Sequence, residues 1–395
     1  MLHSHLLSIG QILNTYHSYY IFTMVSIKPE LRNHLNLKTY WGEDYEVYKN
    51  YILYKDFVIR IPNKEKIIKY QNDYENLTFE LGLVNFCNLR CKYCFADHEK
   101  PKVLNAEEHI KMIERIVNHF GKDKKYIFFL NGDGEILNKE KELKKLISYC
   151  LINEYLFVIR SNGTFKFFEK PNKIKNSLFK DFSISYDGEN SKDRVFKNGK
   201  PSGKIVRKHI ENILNAEKIV QVNTVINQDS EKLYNIVSDL KNLGIKEMYV
   251  TPQKNKIYNE QEIKSIVDNY RDFYIKSFND YKDNNILDFM KFCDTEILTC
   301  YYDNFNHYFK VDRDGNLSKC SYLFKKIKIE DFKFEDDKFE DKVLECDNNC
   351  IYSNNCKGNF CAGLDPNLGC QLRKLYFEFI YNIVIYYKEN FNVDF

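Results

Sequence analysis

Cys87, Cys91 and Cys94 stand in the spacing C-x3-C-x2-C, within Leu83-Val-Asn-Phe-Cys87-Asn-Leu-Arg-Cys91-Lys-Tyr-Cys94. Three thiolates on one short loop can ligate three corners of a cubane 4Fe–4S cluster, and the fourth iron is then open to a substrate or cofactor. Zinc is the alternative. A structural zinc site wants four ligands, and His98 is a candidate fourth. Eight further cysteines crowd the C-terminal third: Cys293, Cys300, Cys320, Cys346, Cys350, Cys356, Cys361 and Cys370. Cys150 stands apart, on a helical stretch with Leu143, Leu146 and Ile147, and reads as a core thiol. Residues 1–23 lack a basic n-region, and Gln11, Asn14 and His17 interrupt their apolar run, so they do not read as a signal peptide; Met24 is an alternative start. The expected location is therefore a reducing cytoplasm, where clustered thiols bind metal more often than they pair.

The residues between these cysteines must supply the scaffold. Short apolar runs rich in β-branched and aromatic residues predict strands at Thr78–Val84, Tyr126–Leu130, Leu156–Arg160, Phe182–Tyr186, Val220–Ile226 and Glu247–Thr251. Amphipathic stretches at Ala106–Phe120, Lys139–Ile152, Lys204–Glu217 and Ser230–Leu243 predict helices between them, with Gly121 and Gly244 as stops. Successive β–α units imply a parallel sheet with right-handed crossovers, either an open doubly wound sheet or a complete or partial barrel. Both architectures build their sites at the C-terminal strand ends. Tyr45–Ile61 has a strand-like pattern that suggests a hairpin. Gln371–Phe391 follows helical spacing through Leu372, Leu375, Tyr376, Phe379, Ile380, Ile383, Val384 and Tyr387, which predicts a helix packing one apolar face on the body.

Composition bounds the class. The chain has 395 residues, enough for two or three domains, and 44% hydrophobic with 29% charged residues marks a soluble globular protein. Lys+Arg 59 against Asp+Glu 56 leaves a net charge of +3, which argues against bulk electrostatic binding of nucleic acid. No run of about 18 apolar residues occurs, so no membrane span is expected.

The cysteine loop resembles the signature of the radical S-adenosylmethionine (SAM) enzymes, CxxxCx(aromatic)C after the first strand of a partial (β/α)6 TIM-like barrel, with Tyr93 at the aromatic position. Four more segments match that family in order. Asn131-Gly-Asp-Gly-Glu135 is similar to its GGE motif, with Gly134 and Glu135 in place, Asp133 where the first Gly usually stands and Ile136 where Pro usually follows. Arg160-Ser-Asn-Gly-Thr164 resembles the TNG turn. Ser183-Ile-Ser-Tyr-Asp-Gly188 resembles the SxDG segment, and Val222-Asn-Thr-Val-Ile226 the fifth strand. The resemblance implies that Cys87, Cys91 and Cys94 hold a SAM-binding 4Fe–4S cluster and that Glu135 orients the SAM amino group. Asn162, Ser183, Ser185 and Asn223 are further candidates for SAM contacts. The DxxR that often follows SxDG reads Asp193-Arg-Val-Phe196 here, which leaves Arg194 or Lys197 to meet the SAM carboxylate. Asp187 is the nearest polar candidate for a substrate base, with a turn role as its alternative.

Cys300, Gly315 and Cys320 fall in C-x14-G-x4-C, followed by Cys346-x3-Cys350-x5-Cys356-x4-Cys361 and, after eight residues, Cys370. This resembles the SPASM domain, although two of its spacings are one residue longer here. The resemblance implies two auxiliary 4Fe–4S clusters, with Cys293 as the eighth ligand: one on Cys293, Cys300, Cys320 and Cys361, the other on Cys346, Cys350, Cys356 and Cys370. Two zinc sites are the alternative. The expected organisation is 1–75 as a cap or divergent peptide-recognition module, 76–290 as the radical SAM core and 291–395 as the SPASM iron–sulfur domain with its C-terminal helix.

The function this resemblance implies is maturation of a ribosomally made peptide. A 5′-deoxyadenosyl radical abstracts hydrogen from a peptide or protein segment, and a flavodoxin or ferredoxin serves as the reducing partner. An anaerobic sulfatase maturase is the alternative, and Ser321 after Cys320, where that subfamily has Asp, counts against it. A non-catalytic iron–sulfur electron-transfer or sensor protein is the third reading, which the intact cysteine loop and Glu135 disfavour.

Overall fold

The computed structural model describes residues 37–38, 44–48, 51–54, 57–60, 76–82, 84–94, 96, 102–130, 133–177, 181–282, 289, 293–294, 308–312, 314–318, 326–333 and 364–391. The strand-like stretch near Tyr45 forms a four-stranded antiparallel meander. Strands β1 (Leu37–Lys38), β2 (Asp44–Tyr48), β3 (Tyr51–Tyr54) and β4 (Phe57–Arg60) lie in sequential order, with Ile52 opposite both Val47 and Ile59.

The six expected strands of the main sheet are all present. They are β5 (Asn76–Leu81), β6 (Lys125–Leu130), β7 (Leu156–Ser161), β8 (Asp181–Ser185), β9 (Ile219–Ile226) and β10 (Glu247–Pro252). All pair in parallel, and each lies beside its sequence neighbour. A doubly wound sheet reverses strand order at a switch point, whereas this order steps one way throughout, as in a barrel. A short strand β11 (Cys293–Asp294) continues the sheet beside β10. At the other edge β12 (Tyr308–Val311) runs parallel to β5, and β13 (Asn316–Ser318) and β14 (Ile327–Lys328) follow antiparallel. The sheet thus draws strands from either side of residue 290.

Side chains divide between the two faces of the sheet. In β6, Tyr126, Phe128 and Leu130 join the large core beneath the helices, while Phe129 and the partly buried Ile127 turn to the other face with Val158 and Tyr308. The helices between the strands are α1 (Ala106–Phe120), α2 (Glu140–Ile152), α3 (Pro171–Lys175), α4 (Gly203–Asn215), α5 (Leu233–Asn242) and α6 (Glu260–Tyr281). Cys150 is fully buried in the core, as expected, and burial pushes its thiol up to about 12.

Two helices start elsewhere than periodicity predicts. Helix α5 begins at Leu233 rather than Ser230, because Ser230 closes a turn with Asn227 and the Leu233 N–H is capped by Asn269 from α6, 2.9 Å away. Helix α7 (Pro366–Phe391) begins five residues before Gln371. Asp365 accepts from the N–H groups of Asn367 and Leu368 at 2.9 and 3.1 Å, and Pro366 suits a first helical position. The other oxygen of Asp365 accepts from the Tyr258 N–H at 3.2 Å, which ties the start of α7 to the loop after β10. Farther along, Phe379 stacks on Tyr274 of α6 with ring centroids 4.7 Å apart, so the apolar face packs on the body as its spacing predicts.

One buried residue of α1 sets a pH dependence. His109 is 1% exposed; its Nδ1 donates to the Asn105 carbonyl at 2.7 Å and its Nε2 has no partner. Burial pushes the ring down to about 4, below the usual 6.5. Between those two values the unfolded chain takes up a proton that the folded chain refuses, so stability falls as pH drops through this window. Urea unfolding at pH 7 and pH 4.5 should show a loss of roughly 2 kcal/mol from this residue. His109→Gln should flatten that part of the profile, and an unchanged profile would remove His109 from the account.

Candidate active site

The cysteine loop has little regular structure of its own and is strapped from three sides. At its base, where β5 ends, the Gly82 N–H donates to the Val311 carbonyl at 2.8 Å. The N–H groups of Asn85 and Phe86 both donate to the Lys102 carbonyl at 3.2 Å, and Lys102 N–H returns to Asn85 Oδ1. Across the middle, Leu89 bridges Phe196, while Arg90 and Lys92 donate to the carbonyls of Val195 and Asp193 at 2.8 and 2.9 Å. The Asp193–Phe196 segment, which departs from the family pattern, is therefore the backbone partner of the cysteine loop. Cys87 and Cys91 are half-buried and Cys94 is exposed; burial pushes the Cys91 thiol up to about 11 and raises that of Cys87 as well.

The third strap is the loop after β6. Glu135 N–H donates to the Phe86 carbonyl at 2.7 Å. This contact needs Gly134, since a Cβ there would stand 2.4 Å from the Phe86 oxygen and 2.7 Å from the Asn85 carbonyl carbon. The Glu135 side chain is 1% exposed and accepts three hydrogen bonds, from Leu137 N–H at 3.1 Å, Ser161 Oγ at 2.9 Å and Asn162 N–H at 2.7 Å. Burial raises its carboxyl above the ordinary range against the pull of these donors. A carboxylate offers about four acceptor sites, so three protein donors leave about one for a ligand. Glu135 thus joins the ends of β6 and β7 to the cysteine loop, a role its motif did not announce.

Asn162 is equally committed. Its Nδ2 donates to Asn88 Oδ1 at 2.8 Å and points at Cys87 Sγ at 3.5 Å, while its Oδ1 accepts from the N–H and hydroxyl of Thr164 at 3.0 and 2.7 Å. Asn88 Nδ2 closes the ring on Thr164 Oγ1 at 2.8 Å. The turn Ser161–Thr164 therefore reaches the first cysteine directly. Ser183 and Asn223 meet each other across β8 and β9, with Asn223 Nδ2 donating to Ser183 Oγ at 2.6 Å, and Ser185 pairs in register with Asn223.

Asp187 is not an open base. Its Oδ1 accepts from the Val225 N–H at 2.9 Å and its Oδ2 from the Tyr93 hydroxyl, so it ties the cysteine loop to the end of β9. Arg194 Nη1 donates to the same Tyr93 oxygen at 3.0 Å. Arg194 is 7% exposed and its Nε is buried without a partner. Burial works against its charge, but Tyr93, Cys91 and Asp187 outweigh that and hold it protonated. Lys197 instead lies over the Phe86 ring, 4.9 Å from its centroid. Of the two basic candidates, Arg194 is the one buried beside the cysteines.

Among the described residues no three His, Cys, Asp or Glu side chains gather closely enough to hold a single metal ion. A 4Fe–4S cluster places each thiolate on a separate iron, so three cysteines spread along one loop, with an amide donor at one sulfur, fit it better than they fit zinc. His98 lies outside the described residues, as do Cys300, Cys320, Cys346, Cys350, Cys356 and Cys361. Cys293 is buried in β11 opposite Met248, and Cys370 is half-buried near the start of α7.

Residues 82–251 match the model of the Radical SAM superfamily. The chain is 24% identical over 237 residues to the radical SAM cyclopropyl synthase TigE of Paramaledivibacter caminithermalis, a match covering 53% of this chain and 49% of TigE. It is 25% identical over 176 residues to the sporulation killing factor maturation protein SkfB of Bacillus subtilis, covering 44% of this chain and 42% of SkfB. The chain thus spans less than half the length of these curated relatives. Among solved structures it shares the fold of native anSMEcpe with bound AdoMet, with a TM-score of 0.59 and 18% identity over 80% of this chain and 99% of that one. Among the described residues no helix is long and apolar enough to cross a membrane.

Proposed function

We propose, from a chain whose residues 82–251 are a radical SAM domain, that it is a radical SAM peptide maturase. The observation that carries this is the strapped loop of Cys87, Cys91 and Cys94, held against Glu135, Asn162 and Arg194 at the C-terminal ends of parallel strands. A reduced 4Fe–4S cluster held there would supply the electron that cleaves SAM to methionine and a 5′-deoxyadenosyl radical, which would take a hydrogen atom from the substrate to give 5′-deoxyadenosine and a substrate radical. Cys87, Cys91 and Cys94 hold the cluster, and the amide of Asn162 donates toward Cys87. The unused Nε of Arg194 serves the SAM carboxylate, and the remaining acceptor site of Glu135 serves its ammonium. Tyr93 is pinned between Asp187 and Arg194 and fixes the third cysteine. Ser183, Ser185 and Asn223 are the polar groups at the ends of β8 and β9 left to line the SAM site.

A peptide substrate is supported by the named activity of SkfB as a maturation protein. The C-terminal cysteines carry two auxiliary clusters, on Cys293, Cys300, Cys320 and Cys361 and on Cys346, Cys350, Cys356 and Cys370. Residues 1–75, 76–290 and 291–395 act as a cap or recognition module, radical core and SPASM domain, working in the cytoplasm with a flavodoxin or ferredoxin as reductant. Anaerobic reconstitution should load about twelve irons per chain, as three four-iron clusters. SAM and dithionite should then release 5′-deoxyadenosine. Iron near four, or zinc in its place, would remove the auxiliary clusters, and absence of 5′-deoxyadenosine would remove the enzyme.

A further inference from the structure

Asp133 occupies the position where the GGE pattern has its first glycine, and the structure supplies it with a partner. Lys310 of β12, far along the chain, places Nζ 2.6 Å from Asp133 Oδ1 and 4.0 Å from Glu80 Oε1. The lysine side chain is 7% exposed. Glu80 also accepts from the Tyr308 hydroxyl and from Arg160 Nη1 at 3.3 Å, so the ammonium sits in a buried network of both signs. Room for its stem comes from Gly82, where a Cβ would stand 3.1 Å from Lys310 Cε and 3.1 Å from the Val311 oxygen.

The two ends of this ion pair belong to different parts of the site. Asp133 directly precedes Gly134 and Glu135, whose backbone holds Phe86 of the cysteine loop. Lys310 lies on the hairpin of β12 and β13, and β13 ends two residues before Cys320. The buried ammonium needs an anion close by, and Asp133, whose side chain is 27% exposed, is its nearest one, closer than Glu80, so the loss of Asp133 leaves Lys310 without its 2.6 Å partner.

We propose that Lys310 is a positioning residue of the radical site. Through Asp133 it fixes the loop bearing Gly134 and Glu135, and so makes SAM binding depend on the docked C-terminal hairpin. The proposal rests on the radical SAM reading. It also implies that Asp133 is a compensated departure: removing its charge alone is at least as damaging as removing it together with the lysine.

The test is a double-mutant cycle on the reconstituted holoprotein. It reads the SAM dissociation constant by equilibrium dialysis and the change in the EPR signal of the reduced cluster on adding SAM, well below the melting temperature. D133N and K310M are each expected to weaken SAM binding about tenfold, and D133N/K310M by no more than about tenfold in all, because paired charges are strongly non-additive. Single effects that multiply to about a hundredfold, or singles that bind SAM like wild type, would overturn it. Should a single variant fail to fold, the charge-conserving D133E and K310R carry the comparison; they keep both signs of the pair and must bind SAM within about threefold of wild type for the proposal to stand. A wild-type chain with no SAM-dependent signal overturns the radical SAM reading and this proposal with it. A responsive wild type with multiplying singles overturns the proposal alone.

Discussion

Cys91→Ala is expected to release no detectable 5′-deoxyadenosine from SAM and dithionite, while the protein keeps about eight of about twelve irons. The separation of these two readouts follows from how the loop is built. A cluster with one open iron needs all three thiolates, and two cannot retain it through reduction. The loop, however, is held by backbone hydrogen bonds: Arg90 and Lys92 on either side of Cys91 donate to Val195 and Asp193, and Cys91 contributes its carbonyl to Cys94 N–H. None of these involves the thiol. The variant should therefore keep every backbone strap of the loop, and with both proteins metal-free its urea midpoint should match that of the wild type. Iron falling to near zero would mean that the C-terminal clusters depend on the first one. Unchanged 5′-deoxyadenosine would refute the assignment of the loop.

Where the sequence was legible, local pattern and tertiary structure agreed. The six parallel strands fell within a few residues of their apolar runs, because each is buried beneath helices on at least one face and needs an apolar run to be so. Helix α1 matched its spacing to the residue, with Asn105 as cap and Gly121 as stop. The elements that sequence could not place depend on distant partners. The parallel pairing of Tyr308–Val311 with β5 joins segments more than two hundred residues apart, and nothing in either strand names the other. The start of α5 depends on Asn269, a tertiary cap, whereas that of α7 is the local Asp365–Pro366 signal, which apolar periodicity alone does not read.

The site shows the same division. The motifs name candidate residues, and the structure shows several of them bonded to protein groups that no motif names. Glu135 and Asp187 are buried and Asn162 is partly so, and all three are already bonded to protein, so much of their role is to brace the cysteine loop. The signal available in sequence was their company: Ser161, Asn162 and Thr164 in one turn form a hydrogen-bonding set too dense for an ordinary loop. Arg194 was ambiguous with Lys197 because the two are only three residues apart. Burial decides between them, since Lys197 can rest its charge over Phe86 and Arg194 cannot leave Tyr93.

Gly134→Ala should be the most damaging single-methyl change near the site. Overpacking in a core usually costs about 1–3 kcal/mol, because flexible side chains absorb part of the clash. Here the added Cβ meets backbone of the cysteine loop, the Phe86 oxygen at 2.4 Å and the Asn85 carbonyl carbon at 2.7 Å, and backbone cannot rotate away. The loop after β6 has to retreat, and the 2.7 Å bond from Glu135 N–H to Phe86 is lost as it does so. Glu135 then pulls on Ser161 and Asn162, and Asn162 on Cys87, so one displacement reaches the first cysteine through a chain of three bonded residues. A misplacement near 1 Å at a reacting centre can cost about a hundredfold in rate, and that is the expected loss in 5′-deoxyadenosine formation. The control is Cys150→Ala, which opens a small cavity in the same core at a stability cost of roughly 1–2 kcal/mol and touches none of these bonds. If Gly134→Ala acts only through stability, the two variants will lose activity in proportion to their urea midpoints. If it acts through the brace, Gly134→Ala will lose activity at temperatures where it is still fully folded, and Cys150→Ala will not.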